Sequence, residues 1–187
     1  LIDRRTLLTR GLAVSVGALP AASLLAACGG GMMGERMPDW MMSGEGMMGG
    51  EMMEDMRVIH ALLQSHEEID REVEDIAAGI RARTTSGDAE VEGLIRTHVR
   101  GMRERVEQGE TIRHMDPVFR EIFEHHEAVR MDVEQVPGGV LVVETSTDPQ
   151  VELLIRQHAH RAVSEFVAEG MSRAMQPTPL PPGYREG

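Results

Sequence analysis

A mainly α, α+β fold is predicted for this chain: an internally duplicated helix–strand–helix unit, its four helices packed about a pseudo-twofold with a short two-stranded antiparallel sheet. Three observations predict it. Residues 59–108 align with 119–168 at a shift of 60 without a gap, and fourteen of the fifty positions are identical; roughly three would be expected by chance. Apolar residues recur at helical spacing in the first part of each copy. A glycine and then a β-branched run follow in each. Neither unit is large enough to bury its own apolar face, so the two must pack on each other. The span of about 120 residues is an ordinary single-domain size.

In the first copy Ile59, Leu62, Leu63, Ile69, Val73 and Ile76 form a 3.6-residue stripe, matched by Phe119, Ile122, Phe123, Val129, Val133 and Val136. Each stripe predicts one first helix. Asp116-Pro117 supplies the second copy with an N-cap and a Pro at the first helical position. Gly79, and Gly138-Gly139, stop these helices. Residues 140–145 (VLVVET) then read as a short strand, and residues 80–85 (IRARTT) as its more polar partner. Asp88-Ala89 and Asp148-Pro149 open the second helices. Val91, Leu94, Ile95, Met102 and Val106 line one face, with Val151, Leu154, Ile155, Ala162 and Phe166 as counterparts. A tail with Pro177, Pro179, Pro181 and Pro182 closes the chain as an extended segment.

The beginning of the chain reads as an address. Arg4, Arg5 and Arg10 precede an apolar stretch from about Leu12 to Leu25, with small residues before Cys28. This is the three-part build of an export signal, and the apolar run is too short and too rich in Gly and Ala for a good membrane span. Arg4-Arg5-Thr6-Leu7-Leu8 resembles the twin-arginine signal of bacteria, and Leu25-Ala26-Ala27-Cys28 resembles the lipobox of bacterial lipoproteins. That resemblance implies a lipidated Cys28 as anchor, a membrane partner through the lipid, and a mature protein held on the cell envelope outside the cytoplasm. The expected organisation is therefore an export signal (1–27), a lipidated Cys and Met-rich tether (28–56), a duplicated helical domain (57–176) and a Pro-rich tail (177–187).

Ten of the fifteen Met fall between Met32 and Met56. Four pairs, Met32-Met33, Met41-Met42, Met47-Met48 and Met52-Met53, are separated by Gly, Ser, Glu, Asp and Pro, and neither helical nor strand periodicity survives. Met is normally a core filler, yet such a segment builds no core. Soft thioethers are good ligands for Cu(I) and do not form disulfides in an oxidising compartment. Copper is accordingly the expected metal ion.

Four histidines occupy equivalent places on the apolar stripes: His66 and His126 on the first helices, His98 and His158 on the second. Four imidazoles brought together would suit copper, with zinc or iron as further candidates at such a cluster. Glu67, Glu127, Arg96 and Arg156 are also kept in both copies and are candidates for supporting ion pairs. The alternative is a set of structural core histidines bonded to carbonyls or carboxylates. The helix Ile59–Ile76 with its His66-Glu67 pair resembles the opening helix of hemerythrin-like proteins over fewer than twenty residues. That resemblance implies a His-ligated cofactor in a helical core, but the family's later ligands have no counterparts here.

Composition narrows the rest. With 31 acidic and 19 basic residues the net charge is −12, which argues against a nucleic-acid partner. One cysteine excludes a disulfide framework and a Cys-based zinc ribbon. No HExxH, phosphate loop or nucleophile–His–carboxylate order is present. The expected function is non-enzymatic copper capture or sequestration by an envelope-anchored lipoprotein. A His-ligated cofactor protein (hemerythrin-like or a haem carrier) and a structural or interaction module are the alternatives.

Overall fold

A computed structural model of the chain describes residues 50–185, all within the larger of its two compact units, Arg36–Gly187. The export signal, Cys28 and the pairs Met32-Met33, Met41-Met42 and Met47-Met48 lie outside the described residues. Helix α1 (Gly50–Gln64) leads through a 3-10 turn (His66–Glu68) into β1 (Ile69–Ile76), β2 (Gly79–Ser86) and α2 (Ala89–Gln108). The second half repeats this order with α3 (Pro117–Glu124), a 3-10 turn (His126–Ala128), β3 (Arg130–Val136), β4 (Gly139–Thr145) and α4 (Pro149–Gln157). A π-helical turn (His158–Val163) joins α4 to α5 (Ser164–Glu169), and α6 (Met171–Ala174) follows. Among the described residues no helix is long and apolar enough to cross a membrane.

The expected helix–strand–helix unit and two-stranded sheet are overturned. Each half contributes a complete hairpin, and the four strands form one antiparallel sheet in the order β1-β2-β4-β3. The error lay in the period assigned to residues 69–76 and 129–136. Ile69, Val73 and Ile76 extend the α1 stripe on paper, yet in the sheet Ile69, Arg71 and Val73 are half-buried while Asp70, Glu72 and Glu74 are exposed. That is a strand's period of two. An inward-facing Arg71 hid the alternation in the first half. In the second half Val129, Met131 and Val133 displayed it openly. Gly79 and Gly139 do not stop helices either; each begins a strand. A Cβ on Gly79 would collide with the carbonyl of Glu144, and one on Gly139 with that of Thr84, so these glycines let β2 and β4 pair.

The ungapped alignment also fails beyond His158. The π-helical turn accommodates one extra residue, after which the halves correspond at a shift of 61: Arg100 with Arg161, Glu104 with Glu165, Val106 with Val167, Gly109 with Gly170. All fourteen identities at the shift of 60 lie at or before His98. The counterparts of Met102 and Val106 are therefore Val163 and Val167, not Ala162 and Phe166.

Three aspartates begin helices. Asp88 accepts from Glu90 N and Val91 N, Asp116 from Val118 N, and Asp148 from Gln150 N, each cap contributing about 1 kcal/mol. The core lies on one face of the sheet. Val151, Ile155 and Ala159 pack on Ile80 and Ala82 of β2, while Val91 and Ile95 pack on Val140 and Val142 of β4. Met56, Ile112 and Phe123 close one end. The opposite face, with Glu72, Glu74, Arg81 and Arg83, is exposed. The tail is part of the fold: Thr178 is buried, and Leu180 and Tyr184 pack on Val118, Ile122 and Leu154.

The two hairpin turns, Ala77-Ala78 and Pro137-Gly138, differ at both residues, and the second position matters most. Gly138 has φ +81°, and its counterpart Ala78 has φ +65°, a left-handed conformation that strains an L side chain. Ala78→Gly is expected to raise the unfolding free energy by up to about 1 kcal/mol, the relief of strain exceeding the added freedom of the unfolded chain. The urea midpoint should rise at unchanged slope; a lower midpoint would show that the turn carries no strain.

Candidate functional site

The four predicted histidines divide into two pairs with different work. His66 and His126 sit in the 3-10 turns, not on the helices. His66 Nδ1–H donates to the Val167 carbonyl at 2.9 Å, and His126 Nδ1–H to that of Val106 at 3.0 Å. A carbonyl only accepts, so each ring carries its hydrogen on Nδ1. Each imidazole lies on a glycine of positive φ at the end of the other half's second helix. A Cβ on Gly170 would stand 2.5 Å from His66 Cδ2, and one on Gly109 2.6 Å from His126 Nε2. These two histidines clasp the halves together.

His98, on α2, and His158, at the start of the π-helical turn, face the interior. His98 Nδ1 is fully buried without a hydrogen-bond partner. Burial pushes the His98 imidazole down to about 4, against a partial pull upward from Asp55, so it is neutral at physiological pH. The His158 ring meets the edge of Phe119 at 5.0 Å between centroids, and its Nδ1 lies 3.9 Å from Glu144 Oε2. Among the described residues no group of three or more His, Cys, Asp or Glu is arranged to hold a metal ion. Arg96 and Arg156 reach the hairpin ends, donating to the carbonyls of Val136 and Ile76, while Glu67 and Glu127 are exposed.

The methionines of α1 divide as well. Met56 is buried, Met52 packs against it with Ile112 and Phe123, and Met53 is exposed. The tether expected to run to residue 56 therefore gives way to helix from Gly50. Among the described residues the exposed large apolar side chains are Met53, Met115 and Met175. Asp55 in the second turn of α1 holds Arg105 near the end of α2. Arg113, beside Met115, donates to the carbonyl of Ala174, and α6 packs against α1.

Between the sheet and the helices lies an apolar cavity of about 210 Å³. Three charged residues line it, Arg71, Glu144 and Arg113, the last of them paired with Asp116. Arg71 donates through Nη1 to Thr84 Oγ1 at 2.7 Å and through Nε to Ser164 Oγ at 3.3 Å. Burial lowers its guanidinium to about 10 against the pull of Glu144, and it stays protonated. Glu144 keeps only 16% of its side-chain surface. Burial pushes its carboxyl up, but the adjoining His158 and the Arg71 charge outweigh that, and the net displacement is downward. Glu144 was legible as the third inward position of Val140, Val142, Glu144. Arg71 was not, because its segment was read as helix.

No family model, curated protein or solved structure matches the chain.

Proposed function

We propose that this chain is an exported, lipid-anchored protein that captures Cu(I) at the cell envelope through thioethers. The observation that carries this reading is the distribution of methionine. Three pairs, Met32-Met33, Met41-Met42 and Met47-Met48, precede α1, and among the described residues Met53, Met115 and Met175 are the exposed large apolar side chains. Exposed Met side chains stabilise no core, whereas polarisable sulfur suits a soft monovalent ion. The proposal assigns the metal to thioethers rather than to the four histidines, two of which are committed to backbone carbonyls. Cys28 is the proposed anchor and takes no part in metal binding.

The test compares the purified chain with a variant in which Met32, Met33, Met41, Met42, Met47 and Met48 are all Leu. The native chain should withdraw Cu(I) from a colorimetric chelator at micromolar protein and ignore Zn(II). The variant should lose most of that capacity while its melting temperature stays the same. Equal competition by both proteins would sink the reading. Met53→Leu, Met115→Leu and Met175→Leu together measure the share held by the folded domain.

A further inference from the structure

The interior cavity is a second site, and it does not rest on the Cu(I) reading. The inner face of the sheet turns every second residue toward the helices, and apolar side chains are expected there. Arg71 on β1 and Glu144 on β4 break that rule from either side of β2. Ala82, a small side chain in register with Val73 and Val142, forms the floor between them. The equivalent positions of the other half carry Met131 and Thr84, so the fold that both halves share requires neither charge.

The two charges are not joined by a direct ion pair among the described residues. Arg71 bonds the hydroxyls of Thr84 and Ser164 through Nη1 and Nε, and Glu144 Oε2 faces His158 Nδ1 at 3.9 Å. Buried charges are retained where they are paired and hydrogen-bonded. Arg71 Nη2 thus keeps a donor for an occupant, and the Glu144 carboxylate keeps an acceptor. The rest of the wall is mostly aliphatic and aromatic, from residues such as Leu62, Ile95, Phe119 and Phe166; Thr84, the histidines and Arg113, whose charge is paired with Asp116, complete it.

We infer that the cavity binds a small molecule of no net charge, with an apolar body and a head that accepts a hydrogen bond from Arg71 and donates one to Glu144. An alcohol or phenol has such a head, and so does the zwitterion of an apolar amino acid. The volume sets the size. It exceeds the ~150 Å³ that suffices for benzene and falls below the ~300 Å³ at which pockets for larger ligands begin. The body is therefore one ring or a short branched chain. Charge sets the selectivity: a bare carboxylate meets Glu144, a bare ammonium meets Arg71, and a hydrocarbon leaves both without a partner.

Calorimetric titration of the purified chain with six probes tests this: phenol, benzyl alcohol, L-phenylalanine, benzoate, benzylammonium and toluene. At least one of the first three should bind tenfold or more tighter than each of the last three, and comparing alcohols with amino acid identifies which head is preferred. Glu144→Gln should shift the preference at least tenfold toward benzoate, and Arg71→Met likewise toward benzylammonium. Thr84→Val, which removes the hydroxyl that holds Arg71, should narrow the preference for phenol over toluene while toluene binding stays the same. It serves as the second variant should either charge substitution fail to fold. No binding by any probe at millimolar concentration overturns the site. Toluene binding as tightly as phenol, with preferences that none of these variants moves, overturns the assignment of the head.

Discussion

Asp116→Ala should lower the unfolding free energy by about 3–5 kcal/mol, the usual cost of breaking a buried ion pair from one side. Asp116 is 1% exposed and serves three elements at once. Its Oδ1 accepts from Val118 N and caps α3, while its Oδ2 accepts from Arg113 Nη2 at 3.1 Å and from Thr178 N at 2.9 Å. The Arg113 guanidinium lies over the rings of Phe119 and Phe166. Burial lowers its pKa and Asp116 offsets part of that. Alanine removes the cap, the charge partner and the tie to the tail together. Asp116→Asn keeps the size and some hydrogen bonds, so a smaller loss, about 1.5–3 kcal/mol, is expected of it. Urea unfolding measures both, and proteolysis across residues 177–183 should accelerate in the alanine variant. A loss below about 1 kcal/mol for Asp116→Ala would show that water replaces the carboxylate without penalty.

Stability should fall steeply between about pH 6.5 and pH 4. The folded chain holds the His98 imidazole near 4 through burial, against an ordinary value of 6.5. Within this window the unfolded chain binds a proton that the folded chain excludes, so each step down in pH favours unfolding. The slope approaches ~1.4 kcal/mol per pH unit and totals about 3 kcal/mol. Above about pH 6.5 the contribution is constant. Glu144, whose carboxyl is lower in the folded chain, adds a loss of the same sign as pH falls below its ordinary 4.5. His98→Leu removes the excluded proton and should flatten the profile between pH 6.5 and 4.5. It should cost little at pH 7, since Nδ1 is buried without a partner. Urea midpoints at pH 7.5, 6, 5 and 4 decide the matter, and an unchanged slope in His98→Leu would assign the acid sensitivity to other groups.

The sequence by itself determined what depends on neighbours along the chain. Asp88, Asp116 and Asp148 mark helix starts because a short carboxylate satisfies amide groups two or three residues on. The β-branched run 140–145 is a strand, and the repeat was visible as identity at a fixed shift. Residues 69–76 were misread because three apolar residues satisfied a helical stripe while the charge at Arg71 broke the alternation, and only pairing of β1 with β2 settles such a conflict. The extra residue at His158–Val163 was invisible for a related reason: a π-helical turn changes no local pattern, only the later register.

Tertiary structure alone decided the roles of the histidines and of the interior charges. His66 bonds a carbonyl 101 residues away and His126 one 20 residues away, so neither partner lies within reach of a periodicity argument. Whether Arg71 and Glu144 share one cavity depends on β2 and β4 pairing centrally with Ala82 opposite Val142. A side chain's periodicity says which face it takes. Which other side chains share that face, and which space stays open between them, is set by sheet order and helix packing, because those bring together residues that the chain itself keeps far apart.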